Sequence, residues 1–256
     1  MKILVAIKQV PARDSALKPD SSARWIESAD LTFEINEPDA YALEAALQLR
    51  EQQGGEVVAL CAGPASAATQ IREALAKGAD RAIHIEDDGL AGYDTLSSGR
   101  LLAAAAKQES PDLILTGLQS DDFGYGQTGV ILAEVLGLPH ATIIMQVEKT
   151  DSGIRVKREL EDGWFQWISL PLPAVLTIQS GINKLRYATL MGIKKAKLKE
   201  VRRLTAAELG VTPTQEVKLA QVYMPQRSKQ TVLIEGDARQ QAARLAAILK
   251  QEVRVL

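Results

Sequence analysis

Histidine and cysteine are almost missing from this 256-residue chain: Cys61 is its one thiol, and His84 and His140 are its two imidazoles. A lone cysteine closes no internal disulfide, and these three side chains do not show zinc-ligand spacing. A disulfide-stapled scaffold and a Cys/His metal centre are thereby set aside, and a reducing compartment fits. Aromatic residues are scarce at 4%, and neither sign of charge prevails, with 30 basic against 32 acidic side chains and a formal charge of -2. The positive excess of a nucleic-acid binder is absent from the chain as a whole. No apolar run reaches the roughly 18 residues of a membrane span, and Ile3-Leu4-Val5-Ala6-Ile7 is too short for a signal-peptide core. A cytoplasmic protein without membrane insertion is expected. Nucleophile and metalloprotease motifs of the G-x-S-x-G and H-E-x-x-H kind are also missing, and neither histidine has an evident catalytic neighbour. His84, His140 and Cys61 therefore read as structural.

What remains is ordinary globular material, 46% hydrophobic and 24% charged, enough for one large or two small domains. In the first half, short apolar runs at 3–7, 56–60, 82–85 and 113–116 alternate with helical patterns. Continuous apolar runs mark strands buried on both faces, and the alternation predicts an α/β fold with a parallel sheet. Helices are expected through Ala42, Ala45, Ala46 and Leu49, through Ile71, Ala74 and Leu75, and over 96–106, with a fourth beginning near Tyr125 and stopped by Gly137 and Pro139. From Ala141 the texture becomes strand-rich, with candidate strands at 142–147, 154–156, 165–168 and 174–178. Asp151-Ser152-Gly153 reads as a hairpin turn in which glycine supplies a positive φ. Beyond Gly181 the apolar periodicity fades, and residues 183–203 hold eight Lys/Arg and one acidic residue, Glu200. The expected organisation is a nucleotide-binding domain over 1–182 followed by an extended C-terminal arm over 183–256. The arm regains a pattern only in a strand at 231–234 and a final helix bearing Ala242, Leu245, Ala246 and Leu249. An arm with so little apolar material cannot offset its own ordering entropy, so a partner subunit is the natural support.

In open α/β sheets, ligands bind beyond the carboxyl ends of the strands, where helix amino termini present unpaired N–H groups. Three ends carry suitable residues: strand one near Ala6, strand two at Ala62-Gly63-Pro64, and strand four at Gly117-Leu118-Gln119-Ser120-Asp121-Asp122-Phe123-Gly124-Tyr125-Gly126-Gln127-Thr128-Gly129. Gly124, Gly126 and Gly129 spell G-x-G-x-x-G, but after the fourth strand and an extra loop, without the acidic ribose ligand about 20 residues later. A nicotinamide dehydrogenase is therefore not the leading reading. Asp121 and Asp122 would repel a phosphate at close range, so they are expected to turn away, cap the helix or bond a ribose hydroxyl. Gln127 and Thr128 are the better donors.

The segment Val156-Lys157-Arg158-Glu159-Leu160-Glu161-Asp162-Gly163-Trp164-Phe165-Gln166-Trp167-Ile168, completed by Pro173-Ala174-Val175-Leu176-Thr177, resembles the signature of the electron transfer flavoprotein beta-subunit family. Val5-Ala6-Ile7-Lys8, Gly63-Pro64, Ala76-Lys77-Gly78-Ala79-Asp80-Arg81, Gln127-Thr128-Gly129 and Arg186-Tyr187-Ala188-Thr189-Leu190 extend the likeness over essentially the whole chain. The resemblance implies an adenine-nucleotide-binding (HUP/Rossmann-like) α/β fold, paired with an alpha subunit that holds most of a redox FAD, and a beta subunit that catalyses nothing itself. It implies an AMP with a structural role at Ala6, at Asn36, Glu37, Pro38 and Asp39, at Ala62, and at the loop from Leu118 to Gly129. In electron-bifurcating relatives a second FAD takes that place and oxidises NADH.

The resemblance also implies a recognition loop from Arg186 to Lys197, with Leu190 docking into flavoprotein dehydrogenases such as acyl-CoA dehydrogenases. Arg186, Tyr187, Lys194, Lys195 and Lys197 flank it, and electrons pass on to a membrane quinone reductase. Independently, one exposed leucine offers roughly 1.5–3 kcal/mol on burial, suited to a contact that releases quickly, and lysines steer acidic partners. A nucleic-acid role for 194–203 is disfavoured because no aromatic residues interleave with the charges. An autonomous ATP-binding stress protein of the same fold is the reading from another class, and the long basic arm argues against it. Two positions depart from the family pattern: Asn36-Glu37-Pro38-Asp39 replaces Asn-Pro-aromatic, with Tyr41 displaced, and Gln166 stands where glutamate is common.

Overall fold

The computed structural model describes residues 1–89, 93–226 and 231–255. Residues 1–222 form one compact unit and 223–256 a second. In chain order the first unit carries β1 (Lys2–Ala6), β2 (Gln9–Pro11), β3 (Phe33–Ile35), α1 (Glu37–Gln53), β4 (Glu56–Gly63), α2 (Ala68–Lys77), β5 (Arg81–Glu86), α3 (Thr95–Glu109), β6 (Leu113–Gly117), α4 (Thr128–Leu136), β7 (His140–Thr150), β8 (Gly153–Glu159), β9 (Phe165–Leu170), β10 (Ala174–Ile178), α5 (Leu190–Ala196) and β11 (Val201–Leu204).

Nine strands form one sheet in the order β11-β5-β4-β1-β6-β10-β7-β8-β9, while β2 and β3 make a separate antiparallel ribbon. Pairing is parallel from β11 to β7 and antiparallel across β7-β8-β9. Successive residues of each central strand point to opposite faces. Ile3, Val5, Val57, Leu113 and Leu115 meet Leu43, Leu47, Ile71 and Leu75 of α1 and α2 on one face. On the other, Leu4, Val58, Leu60, Ile83 and Ile114 meet Leu101, Leu102 and Leu132 of α3 and α4. Burial on both faces is why these strands are continuous apolar runs.

The structure departs from the sequence expectations at particular places. β10 belongs to the parallel sheet, between β6 and β7, and all five of its residues are buried. Helix α4 starts at Thr128 and not near Tyr125, because Gly124 and Gly126 adopt φ of 65° and 64°, a left-handed backbone that no helix continues through. Gly153 is not the positive-φ residue of its hairpin. Its Cβ would lie 2.2 Å from the Leu170 carbonyl oxygen, so glycine is required there by close approach.

Past residue 182 the chain does not leave the compact unit directly. Residues 190–196 form α5, and Val201–Leu204 joins the sheet beside β5. Arg72 donates to the Ala196 and Lys199 carbonyls at 2.7 and 2.9 Å, tying this stretch to α2. In the second unit, residues 231–234 make no strand, and Val232 and Leu233 are exposed. Helix α6 (Ala238–Ala247) opens with a capping box between Asp237 and Gln240 and has no buried residue. No helix among the described residues is long and apolar enough to cross a membrane.

Candidate functional site

β1 is flanked by β4 and β6, so Ala6, Ala62 and Gly117 lie at the same end of three adjacent strands. The first turn of α1 packs against this end. Asp39, only 6% exposed, accepts from the Lys8 N–H and the Gly117 N–H, each at 2.8 Å. Burial pushes its carboxyl up to about 7, against the pull of these two amides and the Asn36 side chain. The neighbouring Cys61 thiol is pushed up to about 12 by burial and by the Asp39 carboxylate, which makes it a core residue and no nucleophile.

The loop after β6 is held by α1 and by the tip of β1. Asn36 donates through Nδ2 to the Gln119 carbonyl at 2.9 Å and accepts the Asp121 N–H at 2.8 Å. Asp121 accepts from the Glu37 N–H at 3.1 Å. It caps a helix, as anticipated, but that helix is α1. Both oxygens of Asp122 lie 2.7 Å from Lys8 Nζ, and Ser120 Oγ is 3.4 Å from the same nitrogen. Burial raises the Asp122 carboxyl, but the charge and hydrogen bonds of Lys8, with Ser120 and the Phe123 N–H, outweigh it and leave it below the usual carboxylate range. Lys8 also sits 5.0 Å over the Phe123 ring, which stacks on Tyr125 at 5.4 Å and meets Trp25 at 5.8 Å. Glu37 pairs outward with Arg13.

Each glycine here has a distinct role. Gly124 and Gly126 are needed for their positive φ. At Gly129 a Cβ would come 2.4 Å from Thr177 Cγ2 and 2.7 Å from Thr116 Oγ1, so glycine lets α4 sit directly on β6 and β10. Gln127 makes no side-chain cap on α4, whose first amides have no intrahelical acceptor. The structure thus brings Ala6, Asn36, Glu37, Pro38, Asp39 and the 118–129 loop to one end of the sheet. Ala62 shares that end on β4.

A model of the electron transfer flavoprotein domain matches residues 25–209. The chain is 37% identical over 262 residues to the electron transfer flavoprotein subunit beta of Methylophilus methylotrophus, covering 98% of each. To the mitochondrial electron transfer flavoprotein subunit beta of Oryza sativa subsp. japonica it is 37% identical over 261 residues, and to the electron transfer flavoprotein subunit beta of Bradyrhizobium diazoefficiens 35% identical over 259, covering 100% of each chain in both cases. The chain belongs to the electron transfer flavoprotein beta-subunit family.

In this electron transfer flavoprotein chain, residues 186–197, where a recognition loop is expected, lie against α1 and α2. Tyr187 and Leu190 are 92% and 82% exposed, and Lys194, Lys195 and Lys197 are exposed beside them. Arg186 differs from its neighbours. It bonds both oxygens of Glu44 at 2.7 and 3.1 Å and both of Glu51 at 2.6 and 3.2 Å, which raises its already high pKa. Arg186 is thus an anchor that fastens the loop to α1. Thr189 caps α5 by accepting the Gly192 N–H at 3.0 Å, and the missing Cβ of Gly192 lets α5 touch the Ala76 backbone. Lys8 and Trp25 join this end of the sheet without being among the residues expected there from the sequence. A lysine two residues past the end of a buried strand is the signal available for Lys8; Trp25, in an irregular stretch, carries none.

Proposed function

We propose that this chain is the beta subunit of a heterodimeric electron carrier. Its alpha partner holds most of a FAD, and the chain itself holds one AMP as a structural element at the tips of β1, β4 and β6. The FAD, when bound, takes up and releases the electrons. The chain's own residues build a scaffold, seat the adenylate and present a docking loop to flavoprotein dehydrogenases and to a membrane quinone reductase.

The residues fit an adenylate. Glycines at 124 and 126 let the loop turn into α4 through a left-handed backbone without side chains in the way, and the uncapped start of α4 favours an anion. The observation that carries the reading is the engagement of both loop carboxylates. Asp121 is spent on the start of α1 and Asp122 on Lys8, which relieves the like-charge repulsion expected between this loop and a phosphate. Tyr187 and Leu190, exposed on an anchored loop beside three lysines, support a contact that forms quickly and releases.

The test is to co-purify the chain with its alpha subunit, denature the complex and quantify the released nucleotides. One FAD and one AMP per heterodimer are expected. Two FAD and no AMP would replace the carrier with a bifurcating NADH-oxidising complex, and a heterodimer without any second nucleotide would overturn the adenylate site.

A further inference from the structure

Helix α1 and the loop after β6 exchange capping groups. Asn36 stands at the N-cap position of α1, where its side chain would ordinarily accept an amide of its own helix, yet it makes no such bond. It is 1% exposed and is turned to the loop, donating to the Gln119 carbonyl at 2.9 Å and accepting the Asp121 N–H at 2.8 Å. One side chain thereby pairs with the loop backbone as a neighbouring strand would. In return, Asp121 accepts the Glu37 N–H, the amide of the first residue of α1, at 3.1 Å. The path of residues 117–121 is therefore dictated from outside the loop, through bonds that involve no ligand atom. Order present in advance need not be created on binding, which raises affinity.

We propose that Asn36 and Asp121 are positioning residues of the nucleotide site: their exchange holds the loop in its binding conformation, and neither side chain bonds the nucleotide itself. Asn36 turns its remaining carboxamide N–H to the Asp39 carboxyl, and Asp121 keeps a second oxygen, so the distinction is experimental. The inference rests on the adenylate reading and deepens it.

The test uses the complete heterodimer stripped of nucleotide. The AMP dissociation constant is measured by calorimetry, and the AMP-induced rise in melting temperature is followed beside it for wild type, Asn36→Ala, Asp121→Ala, the double variant and Asp121→Asn. Each alanine variant is expected to raise the AMP dissociation constant by about tenfold and to shrink the AMP-induced shift. Both alanines break one exchange, so the double variant should bind within about threefold of the weaker single variant. Asp121→Asn keeps an oxygen for the Glu37 N–H and should stay within about threefold of wild type.

Unchanged dissociation constants in the alanine variants, or losses that multiply in the double variant as independent ligand contacts would, overturn the assignment. Wild-type heterodimer that binds no AMP would instead sink the adenylate reading on which it rests, and the two failures are distinguishable. Asp121 is exposed, so its variant keeps the test decisive should Asn36→Ala not fold.

Discussion

Gly117 donates its N–H to Asp39 Oδ1 at 2.8 Å, and a Cβ on Gly117 would lie 2.5 Å from that same oxygen. The hydrogen bond that closes the tip of β6 onto α1 therefore exists only because residue 117 has no side chain. Pro38 Cβ and the Asp39 backbone nitrogen crowd the same point at 2.6 and 2.7 Å. Gly117→Ala must push the first turn of α1 away, at a cost of about 2–3 kcal/mol. A denaturant midpoint equal to that of wild type would contradict this account.

Asp39 couples the same junction to pH. Its folded-state value of about 7 is above the 3.8 of an ordinary aspartate, so between these values the folded protein binds a proton that the unfolded chain has lost. The stabilisation is complete below the unfolded value and disappears as pH rises through about 7, by on the order of 4 kcal/mol at most. Asp39→Asn removes the titration but leaves one of the two amides facing an NH2 group. The variant should be the less stable form at pH 5, and its deficit should shrink by pH 8. Melting curves at both values decide, and a pH-independent deficit would show that Asp39 does not titrate in this range.

Lys8 balances Asp122 inside the candidate site. Lys8→Met leaves the Asp122 carboxylate, 22% exposed at the side chain, without its cation, so adenylate retention in the purified heterodimer should fall several-fold, and Asp122→Asn in the same chain should restore most of it. Restoration would identify the uncompensated charge as the cause. Failure of the second substitution to help would point to a direct contact between Lys8 and the ligand.

Arg186 holds two glutamates of unequal worth. Glu44 is 5% exposed and Glu51 50% at the side chain. Arg186→Gln strands the Glu44 carboxylate and should cost about 3 kcal/mol, whereas Glu51→Gln, at an exposed partner, should cost under about 1 kcal/mol. Equal losses by urea denaturation would refute the buried-anchor role.

Leu190 is exposed, so Leu190→Ala should change stability by no more than about 0.5 kcal/mol. If the proposed docking role holds, reduction of the heterodimer by a flavoprotein dehydrogenase should slow while subunit association and flavin content stay at wild-type levels. Loss of flavin from this variant would mean that the side chain packs and does not dock.

The strands at 3–7, 56–60, 82–85 and 113–116 are legible because both of their faces are buried and nearly all of their residues are apolar. β11 was not. Only Val201 and Leu204 of Val201-Arg202-Arg203-Leu204 are apolar, and an edge strand leaves the two arginines in solvent. The three-residue strands β2 and β3 are too short to show a period. Helix α4 starts three residues past the expected Tyr125 because glycine is compatible with a helix and with the left-handed turn that occurs, and only the surrounding chain selects between them.

The alternating apolar runs and the signature around Arg158 and Gly163 were enough to reach the α/β fold and the family, because both are local patterns with a period or a spacing. The partners of the charged and amide side chains were decided by folding alone. Asn36 and Asp121 are 85 positions apart, Lys8 and Asp122 114, and Arg186 and Glu44 142. Such pairs are made by the sheet order that carries β6 beside β1 and by the return of the chain across α1. A side chain's choice between capping its own helix and gripping a distant loop depends on which acceptor the completed fold brings within 3 Å, and no linear pattern encodes that distance.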